Sequence, residues 1–242
     1  NNIFDVNNIE ISEENSKNKE ELLNQAFKKA FNKLIKRLLL EEDYRIIANT
    51  NLEKIKKLIS YYQIINSDND LEDNYTKLNV FFDKDRMHNF FYNQNILYSD
   101  IINTDVILFP LLKKDNEYFI YTKNYFYENW NTRKSIDLIE YTLPVENIEN
   151  IQKIKKDKED IFALDISEFF KEYDTKNMVF AIIDIKKKDS KIYLNTIINE
   201  KKINKNLSIE KESLNQIQFF NKIIIENNNE IKDLIKSQNL ID

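Results

Sequence analysis

The stretch Leu22-Leu23-Asn24-Gln25-Ala26-Phe27-Lys28-Lys29-Ala30-Phe31-Asn32-Lys33-Leu34-Ile35-Lys36-Arg37-Leu38-Leu39 decides the fold. Leu22, Ala26, Ala30, Leu34 and Leu38 form one row of step four, and Leu23, Phe27, Phe31, Ile35 and Leu39 a second. That spacing is helical, and at about 100° per residue each step of four overshoots a turn by roughly 40°. The apolar stripe therefore walks around the helix, which suits packing across a twisted sheet better than a coiled-coil seam of mean spacing about 3.5. Ser16 is read as the N-cap, with Glu20 and Glu21 suited to the early turns.

Around this helix the pattern alternates between strands and helices. Residues 3–12 read as a strand, and a shorter helix is expected near 51–60, on Leu52, Ile55, Leu58 and Ile59. Tyr61 to Ile65 and Tyr75 to Phe82 read as two strands joined by a turn at Ser67-Asp68-Asn69-Asp70, and Asp83 is expected to cap a short helix from Arg86 to Phe91. The result is β-α-α-β-β-α, two layers with helices on one sheet face.

Beyond a boundary at Asn103-Thr104-Asp105, Val106 to Phe109 reads as a strand buried on both faces and stopped by Pro110. Lys113 to Asn116 is a turn, Tyr118 to Thr122 a strand, residues 125–134 an irregular aromatic stretch, and Leu138 to Leu143 a strand broken by Pro144. Lys153 to Asp160 reads as a charged linker or helix surface, and Ile166 to Tyr173 as a short amphipathic helix. Met178 to Ile185 and Lys191 to Ile198 read as a hairpin around Lys186 to Ser190, and Leu214 to Leu240 as a closing helix. The expected class is α/β (α+β): two small tandem units, 1–98 and 103–242, each a mixed or antiparallel sheet with helices on one or both faces.

Composition excludes much chemistry. The 242 residues include no glycine and no cysteine, two prolines and one histidine. Glycine-rich phosphate loops, GxSxG elbows and glycine-bearing calcium loops are therefore excluded. Cysteine-based zinc, iron–sulfur, thiol and disulfide chemistry is excluded as well. Isoleucine (37), asparagine (35) and lysine (32) dominate the chain, a compositional bias. Up to residue 98 there are 14 basic and 16 acidic residues, and after it 22 and 25, so neither part offers a basic surface for nucleic acid. No run of 18 apolar residues exists to span a membrane.

The first strand, the helix segment Ala30-Phe31-Asn32-Lys33-Leu34-Ile35-Lys36-Arg37-Leu38, the strand Val106 to Pro110 and the aromatic segment Tyr118 to Trp130 follow in an order that resembles an uncharacterised family of secreted bacterial envelope proteins, known only as a domain of unknown function. Ile166-Ser167-Glu168-Phe169-Phe170-Lys171-Glu172-Tyr173 leading into Met178-Val179-Phe180-Ala181-Ile182-Ile183 resembles that family's second half, which is similar to the amino-terminal α/β domain of the Tol-system periplasmic protein. The resemblance is one of element order, spans most of residues 3–200, and departs where the family places glycine and arginine. It implies a periplasmic or envelope location, a signal peptide removed before Asn1, and no catalytic residues to carry over.

Four sets of residues invite a functional reading. Asp85 and His88 share a helix face with Asp83 nearby, which gives part of a metal site or, more plainly, a capped surface helix. Asp68, Asp70 and Asp73 have the look of part of a calcium loop or of a solvated hairpin tip. Lys28, Lys29, Lys33, Lys36 and Arg37 lie opposite the apolar rows and form either a solvated helix face or a contact for anionic lipid or an acidic partner. Tyr118, Phe119, Tyr121, Tyr125, Phe126, Tyr127 and Trp130 crowd into thirteen residues, as a satellite core under a loop or as interface anchors. No carboxylate pair stands out by its context.

The leading expectation is a non-enzymatic envelope protein that binds a protein partner or serves in an assembly, through Tyr125, Tyr127 and Trp130 or through an open sheet edge. No cofactor, metal, nucleic-acid or transmembrane role is expected. The alternative is an enzyme or small-ligand receptor with a carboxylate-lined cleft between the two units.

Overall fold

The structure, a computed structural model, describes residues 2–65, 74–101, 103–131 and 139–241. It is an α+β fold with two sheets, and the chain divides into two compact units, Asn1–Ile102 with Asn239–Asp242, and Asn103–Gln238. The last residues thus belong with the first unit, whereas their place in the sequence groups them with the second. The turn at Ser67 to Asp70, and Asp73 with it, lies outside the described residues.

The first unit is β1 (Asp5–Ser12), α1 (Lys19–Leu38), α2 (Glu41–Ile47), α3 (Leu52–Leu58), β2 (Ile59–Ile65), β3 (Tyr75–Phe82) and α4 (Lys84–Tyr92). Its strands form an antiparallel sheet in the order β1-β3-β2. Both rows of α1 are turned inward: Leu22, Ala26, Ala30, Leu34 and Leu38 are buried, as are Phe27, Phe31, Ile35 and Leu39, against Val6, Ile9 and Ile11 of β1 and Leu78, Val80 and Phe82 of β3. The small Ala26 and Ala30 admit close approach, and Phe31 fills the space beside them, 6.3 Å from the Phe82 ring.

Asn18, rather than Ser16, caps α1: its side chain accepts from the Glu21 N–H at 2.9 Å. Ser16 instead donates to the Ser12 carbonyl. Asp83 caps α4 as expected, accepting from the Arg86 N–H. α2 has no counterpart in the sequence pattern, because Ile47 is the one fully buried residue of its seven and no apolar stripe marks it, whereas the equally short α3 shows Leu52, Ile55 and Leu58.

The second unit is β4 (Thr104–Lys114), β5 (Glu117–Phe119), α5 (Tyr125–Asn129), β6 (Ile139–Thr142), α6 (Ile148–Lys156), α7 (Ile166–Phe169), β7 (Met178–Ile185), β8 (Asp189–Ile198), β9 (Lys201–Glu210) and α8 (Gln216–Ser237). Its sheet is mixed, in the order β5-β4-β7-β8-β9, with β6 beside β4. β4 is buried on both faces. Val106, Leu108 and Leu112 join one core with α5 and α8, while Ile107, Phe109 and Leu111 join another with Ile154, Ile166 and Phe169.

Pro110 does not stop this strand. On one side β4 pairs continuously with β7 from Ile107 to Lys114. On the other, β6 covers Thr104 to Ile107 and β5 covers Leu112 to Lys114, which leaves a gap between them. The Ile107 N–H bonds toward β7. By alternation Pro110 therefore faces the gap, where its missing N–H breaks no ladder bond.

Two further expectations are corrected. Residues 125–134 open with the short helix α5 rather than running irregularly, whereas Lys153 to Lys156 close α6 and so follow the helix-surface reading of that segment. β9 is a ten-residue strand where none is expected, although Ile203, Leu207 and Ile209 alternate with polar residues. It returns from β8 through Asn199-Glu200, both at positive φ, in the two-residue reversal that normally favours glycine.

Without glycine, nine described residues carry a Cβ in the left-handed region: Asn8, Asn95, Asn103, Asp115, Asn116, Lys123, Asn199, Glu200 and Glu212. Asn and Asp tolerate this region, whereas Lys and Glu meet the full steric cost of about 1–2 kcal/mol. Glu200→Gly is expected to stabilise the second unit by about 0.5–1 kcal/mol, the strain relieved less the entropy glycine adds to the unfolded chain. Thermal unfolding followed by circular dichroism should show a higher midpoint for Glu200→Gly and a lower one for Lys201→Gly, where the backbone is extended.

Candidate interaction surface

The aromatic segment is organised by one buried side chain. The two N–H groups of Asn124 Nδ2 are shared among the carbonyls of Pro110 (2.7 Å), Phe119 (3.0 Å) and Ile120 (2.8 Å). Its Oδ1 accepts from the N–H groups of Phe126 (3.1 Å) and Tyr127 (3.2 Å), which makes it the N-cap of α5. Asn124 thus satisfies the Pro110 carbonyl in the gap of β4, closes the turn after β5 and starts α5 in a single group.

The three anchor candidates follow from that arrangement. Trp130 is 3% exposed and stands edge-on to Tyr141, in the core beneath α8. Tyr125 is half-buried against Phe220, and its hydroxyl donates to Asn221 Oδ1 at 2.9 Å. Tyr127 is half-buried between Phe109 and Tyr121, with its hydroxyl on the Pro144 carbonyl at 2.7 Å. The three are split between the two cores of the unit and do not form one exposed ridge.

The other residues that the sequence singles out are occupied locally. His88 Nδ1 lies 3.2 Å from the Tyr98 hydroxyl, and its ring stacks near Tyr92. Asp83 is spent as the α4 cap, and among the described residues no three His, Asp or Glu side chains come together as a metal site. Asp68, Asp70 and Asp73 lie outside the described residues. On α1, Arg37 turns back to donate to the carbonyls of Ile3 and Asp5, and burial lowers its pKa while Asp5 opposes that shift. Lys29 donates to the Glu10 carbonyl at 2.8 Å, and the Lys36 ammonium sits 5.3 Å from the centre of the Tyr44 ring. The basic face is thereby partly tied to its own unit. Among carboxyls, Asp43 in α2 is pushed upward by its burial and then by Glu42.

The exposed aromatic surface lies on β2, which the sequence identifies as a strand but not as a site. Tyr61 (53% exposed), Tyr62 (39%) and Ile64 (38%) line this edge of the sheet. Tyr61 stacks on Phe81 of β3, with centroids 4.2 Å apart and planes 11° from parallel, on the face away from α1. Tyr62 stands edge-on to Phe27 of α1 at 5.4 Å. An open groove of about 470 Å³ runs along this edge, lined by Phe27, Lys56, Ile59, Ser60, Tyr61 and Tyr62. A sequence signal for it exists: Ile59 to Ile65 carries no charge at either parity, although the strand sits in a small sheet with only one side to bury.

No helix among the described residues is long and apolar enough to cross a membrane. Comparisons with family models, curated proteins and solved structures find no match to the chain.

Two outcomes follow from this geometry. Asn124→Ala leaves three carbonyls and two N–H groups without their partner and is expected to cost about 3 kcal/mol or more. Asn124→Asp is expected to cost still more at neutral pH, since a carboxylate then faces three carbonyl oxygens, with part of the loss recovered on acidification; urea unfolding at pH 7 and pH 4.5 checks both. Burial, the largest cause in each case, raises the pKa of Tyr98, Tyr118, Tyr121 and Tyr127. Their folded pKa exceeds the unfolded value of about 10, so the stability they contribute is full below that value and is lost as pH rises through the folded one. Absorbance at 295 nm should show a late tyrosine phase that Tyr121→Phe and Tyr127→Phe diminish.

Proposed function

We propose that this chain is a non-enzymatic component of the bacterial periplasm or cell envelope that binds another protein by adding a strand to the open edge of β2. The observation that carries this reading is an uncharged, aromatic edge strand that, among the described residues, has no strand on its outer side, a ready template for main-chain hydrogen bonding. Alternate side chains would give the selectivity, with Tyr61 on one face and Tyr62 and Ile64 on the other. The order of elements, with its likeness to secreted envelope proteins, supports the compartment. Tyr125, Tyr127 and Trp130 serve in this reading to fix the second unit, and the docking residues are on β2.

The test is a tagged chain expressed beside its untagged form in the native host, crosslinked in cells and recovered by its tag. A protein partner is expected with the wild type and lost with Tyr61→Lys/Ile64→Lys, whose far-ultraviolet dichroism should be unchanged. Retention of the same partner by that variant would overturn the role of β2. Recovery of the mature chain in a cytoplasmic fraction after osmotic shock would overturn the compartment.

A further inference from the structure

We infer that the outer face of α1 is a docking groove for a short acidic segment of another protein. This surface is separate from the β2 edge and stands whether or not β2 takes a strand. From Leu22 to Leu40 the sequence runs without a carboxylate, the longest such stretch in a chain with 41 acidic residues, and it carries Lys28, Lys29, Lys33, Lys36 and Arg37. The neighbouring helices balance cations with carboxylates of their own: Arg45 pairs with Glu41 in α2, and Lys56 with Glu53 in α3. On α1, Lys33 instead has Lys29 four residues before it, Lys36 three after and Arg37 four after, like charges at the spacings where helical neighbours repel. Lys29 and Arg37 are spent on carbonyls in and beside β1, whereas Lys28 and Lys33 have no hydrogen-bond or ion-pair partner among the described residues. An anion laid across this face offsets the repulsion, and the unit itself does not supply one.

The geometry sets which anion fits. Lys28, Lys29, Lys33 and Lys36, with Gln25 and Asn32 among them, line an open groove of about 440 Å³. At about 100° per residue these six fall within an arc of roughly 140°, and Gln25 to Lys36 spans about 16 Å along the helix. Tyr44 of α2 adds its ring at the Lys36 end, and no carboxylate is among the lining residues. Acidic residues bound the stripe on both sides: Glu20 and Glu21 in the first turn of α1, and Glu41, Glu42 and Asp43 in the first turn of α2. A long or flat polyanion, such as duplex nucleic acid or a bilayer, would meet those carboxylates, and the apolar rows that could enter a bilayer are buried against the sheet. A lone phosphate finds no cradle either, because mid-helix N–H groups are bonded within α1 and the Arg37 fork is turned away. Separate ammoniums along this length match the carboxylates of an extended acidic segment of about five residues. Asn32, between the lysines, offers its amide to the main chain of that segment.

The test uses the full chain and fluorescein-labelled pentaglutamate, followed by fluorescence anisotropy. Binding is expected at about 50 mM salt and should weaken roughly tenfold at about 300 mM, as screening shortens the reach of exposed charges. Lys28→Glu/Lys33→Glu should weaken it about tenfold or more, and Lys28→Arg/Lys33→Arg should keep it within about twofold. Should the charge reversal alter the far-ultraviolet dichroism, Lys28→Gln/Lys33→Gln gives the same reading with less change to the helix. Lys155→Glu/Lys156→Glu, a cation pair on α6, should bind as the wild type does. Tyr61→Lys/Ile64→Lys should bind no more weakly than the wild type, which separates this groove from β2. No binding of pentaglutamate, or an equal loss in the α6 variant, overturns the groove, and a comparable loss in the β2 variant overturns its separateness. Tighter binding to phosphatidylglycerol vesicles, or to an oligothymidylate of equal charge, overturns the acidic segment as its occupant.

Discussion

Every tight reversal of this chain must be made by a residue that carries a Cβ. That constraint selects the side chains at the turns and, through them, the register of the sheets. Asp115-Asn116 joins β4 to β5 with Lys114 opposite Glu117, and Asn199-Glu200 joins β8 to β9 with Ile198 opposite Lys201. In each hairpin the turn sets which parity of the following strand faces the core. At the β1 bulge, Asn8 takes the left-handed conformation, and its N–H is met by the Asn79 side chain at 3.0 Å. Asparagine in this chain both tolerates the left-handed well and supplies a local hydrogen bond there, so its abundance has a structural use as well as a compositional origin.

Asn124 shows the same residue type solving a different problem. A proline in a strand flanked on both sides would normally leave a ladder bond unmade. Here the flanking strands β6 and β5 stop short of each other, and the gap brings the Pro110 carbonyl to the Asn124 amide. The same amide finishes β5 and its oxygen begins α5, so the aromatics Tyr125, Phe126 and Tyr127 are delivered to two different cores within one short helix. A dense aromatic run is thus consumed in covering both faces of β4, which leaves it little surface to offer a partner.

How much of this is legible in the sequence depends on how local the deciding interaction is. The two rows of α1, the double burial of β4 and the Asp83 cap follow from residues a few positions apart, and a short window of sequence displays them. The Asn18 cap is hidden because Ser16 is an equally good residue type two positions away, and only the backbone path chooses between them. Pro110 misleads because its acceptability depends on where β5 and β6 end, and β6 lies well downstream of it. β9 is hidden by its lysines: seven of its ten residues are exposed, and an edge strand with one solvated side shows a weak alternation. The aromatic segment announces itself by composition, but whether a ring is buried depends on α8, far along the chain.

The edges then separate what the fold protects from what it leaves open. β9 and β1 are both guarded, one by its own lysines and one by cations lent from α1, so the basic face of α1 has a use within its own unit that charge counting alone assigns to an external anion. A chain in which about one residue in three is charged has no shortage of means to guard a third edge. β2 nevertheless runs seven residues without a charge, and its one irregularity is a register shift at its start, between Ile59 and Tyr61. An unguarded edge is an aggregation hazard unless pairing there ends in a closed form. The physical argument for strand addition at β2 is therefore the contrast in charge and in side-chain donors among these edges, and it does not depend on any single exposed ring.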